Sequence, residues 1–148
     1  MGFSNDFTFG PFSINGVVDW QQGGNIINLM QYLQDDGRTS VDWGTPAGVK
    51  RYQGYVKGAI KPYIEDASFV KLREVSVGYD VPHRVLGFAR GVQSLRVSLT
   101  GCNLAMWAPY SGLDPEVANF GSAAVRNNLD VGPYPPSRSV FFNLTVGF

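Results

Sequence analysis

The chain has 148 residues, the length of one ordinary domain, and its twelve Lys and Arg balance twelve Asp and Glu to a formal net charge of zero, so no nucleic-acid partner is expected. Charged residues make up only 16%, below the roughly 25% of a typical globular protein, while aromatics reach 14% and glycines number 18; low charge with many rings and glycines leans toward β-rich structure and is compatible with a membrane barrel. No apolar run of about 18 residues predicts a transmembrane helix, the start MGFSNDFTFG lacks the basic and apolar regions of a signal peptide, and the single cysteine, Cys102, excludes an internal disulfide.

Alternation of apolar and polar residues marks strands, because successive side chains point to opposite faces. The stretch FSNDFTF (3–9) is followed by the turn pair Gly10-Pro11 and by a second strand near 12–22. There Phe12, Ile14, Gly16, Val18 and Trp20 share one face, and Ser13, Asn15, Val17 and Asp19 the other. A long loop near 23–66 is rich in Gly, Asn, Gln and Asp; within it Ile26, Leu29, Met30 and Leu33 stand at helical spacing and predict a short helix. The next strand, near 68–81, sets Val75, Val77, Tyr79 and Val81 opposite Glu74, Ser76, Gly78 and Asp80, and Pro82 stops it. After a modest link, the strand near 94–107 alternates Leu95, Val97 and Leu99 with Arg96, Ser98 and Thr100. A second long loop, near 109–137, holds five of the nine prolines. The last strand, near 138–148, lines up Val140, Phe142, Leu144, Val146 and Phe148 on one face, with Phe141 the only large apolar side chain on the other.

Five strands joined short, long, short, long follow the asymmetry of an outer-membrane barrel, whose periplasmic turns are short and extracellular loops long. An eleven-residue strand at about 3.3 Å per residue and a tilt of about 40° spans roughly 28 Å, enough for an apolar band of about 25 Å. The fold class expected is therefore all-β, with antiparallel up-and-down strands, and with Val75, Val77, Tyr79, Val81, Leu95, Val97, Leu99 and Val140 facing lipid. Trp20, Phe69, Tyr79, Trp107 and Tyr110 stand near strand ends, where interfacial girdles of rings are expected. Arg96 falls on the polar face, within reach of Glu74 or Asp80.

Four blocks in order then carry a family resemblance: GFSNDFTFGPFSINGVVDWQQGG (2–24), YIEDASFVKLREVSVGYDVP (63–82), SLTGCNLAMWAPYSGLDPEV (98–117) and YPPSRSVFFNLTVGF (134–148). The chain resembles the carboxy-terminal end of the SusC/RagA family of TonB-linked outer-membrane transporters, over nearly its whole length. Cys102 and the Gly10-Pro11 turn depart mildly from the family's pattern. The resemblance implies a plugged barrel of about 22 strands that takes up glycans, oligopeptides or similar nutrients, with a SusD-like surface lipoprotein as its lid and the TonB complex as its energy source. This chain would supply the last five strands, too few to close a barrel. It therefore reads as a fragment with an accidental or internal start at Met1, which transports nothing alone. Expected partners are the rest of the barrel and its plug, outer-membrane lipid and the barrel-assembly machinery. In the family, a terminal aromatic after an alternating strand looks like the signal that this machinery reads by strand addition, which singles out Phe142, Leu144, Val146 and Phe148.

Other candidates for chemistry are weaker. Asp114 and Glu116, in GLDPEV, are two loop carboxylates that suit a ligand contact, although such a run more often makes a turn. Asp35-Asp36 reads as solvated loop, since adjacent carboxylates point apart. Lys71 and Arg73 share the Val75 face and suggest contact with lipopolysaccharide phosphates. His83 is the only histidine, so neither a catalytic triad nor a histidine-rich metal site can be built. No enzyme activity and no cofactor are expected. The alternative reading is an independent soluble β-domain that binds carbohydrate through its Trp and Tyr residues. The two readings differ in whether the apolar strand faces form a continuous exposed band or are covered by a second layer.

Overall fold

Hairpin chemistry starts the fold. Phe9 pairs with Phe12 across the two-residue turn, where Gly10 takes φ +57° and Pro11 follows; glycine at the first turn position is what a type II′ hairpin requires. In the computed structural model, which describes residues 1–87, 91–116 and 128–148, the strands in chain order are β1 (Gly2–Phe9), β2 (Phe12–Gln21), β3 (Asn25–Asn28), β4 (Ile64–Asp66), β5 (Phe69–Asp80), β6 (Ser94–Trp107), β7 (Leu129–Asp130) and β8 (Ser139–Gly147). The helices are α1 (Leu29–Asp36), α2 (Pro46–Val56) and α3 (His83–Leu86), with one 3₁₀ turn at Lys61–Tyr63.

These elements form two units. The sheet unit takes in 1–20, 70–107 and 136–148; the loop unit takes in 21–69 and 108–135. In the sheet unit five strands lie in the order β1-β2-β5-β6-β8, antiparallel across the β1–β2, β5–β6 and β6–β8 pairs, and the sheet is not closed. Register makes rows across it: Val77 lies opposite Leu99 and Leu99 opposite Phe142; Tyr79 lies opposite Val97 and Val97 opposite Leu144. A β-bulge interrupts the β5–β6 ladder, where Leu72 and Glu74 face Ala105 and Cys102. The extra residue is accommodated at Asn103, with φ +54° and its side-chain amide donating to the Ser137 carbonyl at 3.2 Å. One added residue shifts the alternation, so Leu104 returns to the Gly101 side, 2.8 Å from where a Gly101 Cβ would stand.

The loop unit is more folded than the two connections near 23–66 and 109–137 suggest. The helix expected from Ile26, Leu29, Met30 and Leu33 begins only at Leu29, because Asn25–Asn28 is a strand. That strand, β3, pairs antiparallel with β4 and parallel with β7, which comes from the other connection. Asn28 then caps α1 by accepting the Gln31 amide at 3.0 Å. Thr45 caps α2 through the Gly48 amide at 3.1 Å, with Pro46 in the first turn. Gly48 has no substitute here: a Cβ would stand 2.3 Å from the Asp42 carbonyl oxygen. The small core gathers Ile26, Ala67 and Tyr110, with Ala108 packed against it.

Candidate functional site

The sheet unit presents one apolar and one polar face. Residues directly opposite in an antiparallel pair share a face, so Val75, Gly101 and Val140, the two rows above, and the Leu95–Val146 pair form one continuous apolar band. The Val81 amide donates to the Leu95 carbonyl at 2.9 Å, extending the band by one row. Phe12 joins it from β2, its ring 4.8 Å from that of Tyr79. The band is open: Phe142 is 67% exposed, Leu99 52% and Val77 43%. Val75, Tyr79, Val81, Leu95 and Val97 are half-buried among their neighbours, and Val140, Leu144 and Val146 are exposed.

Polar side chains occupy the opposite face. Ser76 and Thr100 share a hydrogen bond of 2.9 Å. Arg96 reaches Asp80 at 3.1 Å and donates to the Ser13 hydroxyl at 2.6 Å, crossing Gly78 on the way. Asn15 donates to Asp6 at 2.7 Å. Cys102 is half-buried between Glu74 and Ser139. Arg73 pairs with Asp19 at 2.9 Å and Lys71 is buried, which corrects the expectation that both offer free charge to lipid phosphates. Among the proposed assembly-signal residues, Phe142, Leu144 and Val146 lie on β8 at the sheet edge, and Phe148, one residue beyond the strand, is exposed.

The loop unit is organised around charge. Arg51, on α2, makes a bidentate pair with Asp35 at 2.6 and 2.9 Å and a second with Asp42 at 2.6 Å for both bonds. Tyr63 donates to the same Asp35 at 2.9 Å. Asp35 is fully buried, which corrects its reading as solvated loop; sequence offers no cue that a carboxylate at a helix end meets an arginine sixteen residues on. Burial alone would raise the Asp35 pKa, but hydrogen bonding led by Arg51, with Ser40 and Tyr63 after it, outweighs burial and holds the carboxyl below its usual range. The Arg51 hydrogen bond lowers Asp42 as well. Burial, then the Asp35 carboxylate, pushes the Tyr63 hydroxyl up, and Asp36 pushes half-buried Tyr55 up to about 12.

Phe69 and Tyr110, expected in an interfacial girdle, are instead buried, and the Tyr110 hydroxyl donates to Asp130. Burial and that carboxylate both raise its pKa. Trp20 and Trp107 are exposed. Asp114 is buried and accepts the Glu116 amide at 2.9 Å, an Asx turn, while Glu116 is exposed. A cleft of about 570 Å³ also lies in this unit, with Gln31 and Gln34 from α1 in its wall. Residues 117–127 and 88–90 lie outside the described ones, and with them Val117, the last residue of the third resemblance block. Among the described residues no helix is long and apolar enough to cross a membrane, and no group of three His, Cys, Asp or Glu is placed to hold a metal.

An open antiparallel sheet with one exposed apolar face and an internally paired polar face is the form of a barrel wall, and similarity decides which kind. Over its full length the chain is 31% identical to TonB-dependent receptor P3 of Formosa agariphila. Its homologues are TonB-dependent receptors. A second, TonB-dependent receptor P26 of the same organism, is 36% identical over 58% of the chain. The chain spans only 16% of receptor P3 and 9% of P26. Among solved structures, the RagAB peptide transporter matches 99% of the chain with a TM-score of 0.70 at 19% identity, and the RagAB peptide importer in its open-open state matches with 0.68 at 21%; each match covers 17% of the longer chain. No protein-family profile matches.

Proposed function

We propose that the chain is the carboxy-terminal stretch of a TonB-dependent outer-membrane transporter of the SusC/RagA type. It contributes five strands of the wall and, through its two long connections, part of the extracellular surface. The protein takes up glycans, oligopeptides or similar nutrients. Both long connections join the same ends of the strands, since β1–β2 and β5–β6 are linked at the other end. The plug, a SusD-like lipoprotein and the TonB complex act through other parts of the protein. In this reading Val75, Val77, Tyr79, Val81, Leu95, Val97, Leu99 and Val140 meet lipid, and the polar face lines the lumen.

The observation that carries this reading is the exposed apolar band running in register across β5, β6 and β8. A soluble sandwich would cover that band with a second layer, whereas here it is exposed, and lipid would cover it at no cost. β8 at the sheet edge, followed by Phe148, suits strand addition by the barrel-assembly machinery, since backbone bonds give affinity and alternating side chains give selection. The test is to express the full-length protein and to follow its outer-membrane fraction and heat-modifiable migration in gels. Removing Phe148 is expected to lower the assembled fraction severalfold. A full-length protein recovered soluble, with no heat-modifiable form, would overturn the reading.

A further inference from the structure

Three of the chain's four lysines, Lys50, Lys57 and Lys61, fall within twelve residues and are exposed, whereas Lys71 is buried. Lys50 lies on α2 and Lys57 caps its carboxyl end; seven residues are close to two turns, so both stand on one side. Val49 and Val56 repeat that spacing beside them and are exposed too. Exposed Ile60 precedes Lys61 in the turn after the helix. Trp43, before the helix, is exposed with its ring 4.8 Å from that of Tyr52. The lysines make no ion pair among the described residues. No Asp or Glu occurs between Asp42 and Glu65, or in segments 88–90 and 117–127. Nearby acids are spent: Arg51 takes Asp35 and Asp42, and Asp36 accepts the Tyr55 hydroxyl with exposed Arg38 two residues on.

We propose that this face of α2 and the turn after it dock on the anionic lipid of the outer leaflet, lipopolysaccharide in a Gram-negative outer membrane. A row of cations beside a row of aliphatic side chains is the pattern of a helix that lies on a membrane surface. The ammonium groups meet phosphates and carboxylates, while Val49, Val56 and Ile60 turn toward the apolar layer beneath. Trp43 adds a ring suited to the interface. The choice of lysine favours lipid over a folded partner. Its point charge on a flexible stem follows mobile headgroups, whereas protein interfaces are enriched in arginine and depleted of lysine. Each lysine near an anionic surface contributes about fivefold in affinity, and salt screens that contribution. The proposal rests on the transporter reading, which sets both long connections at the extracellular ends of the strands. It adds a lipid contact in the loop unit, distinct from the apolar band of the sheet unit.

The experiment uses the full-length protein in nanodiscs of phosphatidylcholine, with and without lipopolysaccharide. Brief acetylation followed by mass spectrometry reads the reaction rate of each lysine. Lys50, Lys57 and Lys61 are expected to react severalfold more slowly in the lipopolysaccharide discs, and high salt to restore their rates. Buried Lys71 is the internal control. A Lys50→Gln, Lys61→Gln variant keeps Lys57 as reporter; both sites are exposed and glutamine keeps helix propensity. In it Lys57 is expected to react at nearly its neutral-disc rate, and Val56→Ser to act more weakly in the same direction. Equal rates in both discs, or Lys57 protection that survives the double variant, overturns the proposal. Slow reaction already in neutral discs, or only in intact cells, overturns it too, because protein then covers the face. Each of these results comes from a heat-modifiable barrel and leaves the transporter reading standing. If the full-length protein is instead soluble, vesicles of phosphatidylcholine and lipopolysaccharide replace the discs. Protection there upholds the docking face and overturns the transporter reading; no protection overturns both.

Discussion

The two units solve opposite problems with the same twenty side chains. In the sheet unit large apolar residues such as Phe142 and Leu99 point outward, while Arg96, Asp80 and Ser13 bond to each other on the opposite face. In the loop unit the most buried side chains include a carboxylate, Asp35, and order comes from an arginine held by two aspartates. On the proposed reading, a sheet whose outer face meets lipid needs no apolar interior of its own. Among its described residues the loop unit has a small apolar cluster of Ile26, Ala67 and Tyr110 with Ala108 beside them, and specific polar bonds help to fix its shape.

The sharpest way to break this contrast is Arg51→Met. It leaves the Asp35 carboxylate buried without its cation, held by neutral groups such as Tyr63, and removing one member of a buried pair costs about 3–5 kcal/mol. We expect the loop unit to become protease-sensitive at low denaturant while the heat-modifiable barrel of the full-length protein persists. Adding Asp35→Leu is expected to recover much of the loss, because removing both charges is far less costly than stranding one. Equal loss of the barrel in Arg51→Met would mean that the two units do not fold separately.

Next in size is Leu99→Arg, in the middle of the apolar band. An arginine at the bilayer midplane of a barrel costs about 2–4 kcal/mol, so the assembled fraction should fall and the urea midpoint of folded barrel in vesicles should drop. Asn143→Arg, on the opposite face across from Ser98, is the control and should change little. Similar effects at both positions would remove the distinction between a lipid face and a lumen face.

These two sites also differ in how far the sequence reveals them. Leu99 is legible because a strand's period of two assigns every side chain to a face, and four strands repeat the same assignment. The rule fails only at Asn103, where a bulge adds a residue; nothing in GCNLAMW marks it beyond an asparagine, a residue that tolerates positive φ. Arg51 is illegible because its partners lie nine and sixteen residues away and meet it through the packing of α1 and α2. The pairing of β3 with β7 joins segments about a hundred residues apart through strands of four and two residues, too short to register as periodic. Phe69 and Tyr110 mislead for a related reason: a ring near a strand end suits a girdle and a small core equally well.

A smaller effect is expected from pH in the loop unit. Asp35 and Asp42 have lowered pKa values in the folded state. Their stabilisation is therefore complete above the unfolded carboxylate value near 3.9 and is lost as pH falls through and below it. Tyr63 and Tyr110 have raised values, so their contribution is complete below about 10 and is lost as pH rises beyond. Proteolytic protection of the loop unit should hold between these limits and fall on both sides. In Arg51→Met the acid limb should flatten, since Asp35 then has little reason to stay ionised. An acid limb unchanged in that variant would assign it to other carboxylates.

The smallest expected change is at Gly78, where two terms oppose each other. An added Cβ would stand 2.5 Å from the Ser13 hydroxyl and 2.8 Å from an Arg96 nitrogen, so Gly78→Ala must displace the end of the arginine and weaken its 2.6 Å bond to Ser13. A hydrogen bond to a charged group is worth about 1.5–3 kcal/mol when well formed, and less here because Arg96 is half exposed and keeps Asp80. Against this, alanine in a strand gains about 0.5–1 kcal/mol over glycine by restricting the unfolded chain. The net loss should stay below about 1 kcal/mol. The contest between the two terms is tested by the background: with Ser13→Ala already present, Arg96 has no bond left to lose there, and Gly78→Ala should turn neutral or stabilising in urea titrations of the full-length barrel. A cost that is the same in both backgrounds would mean that the methyl group clashes with the strand itself rather than with the arginine crossing it.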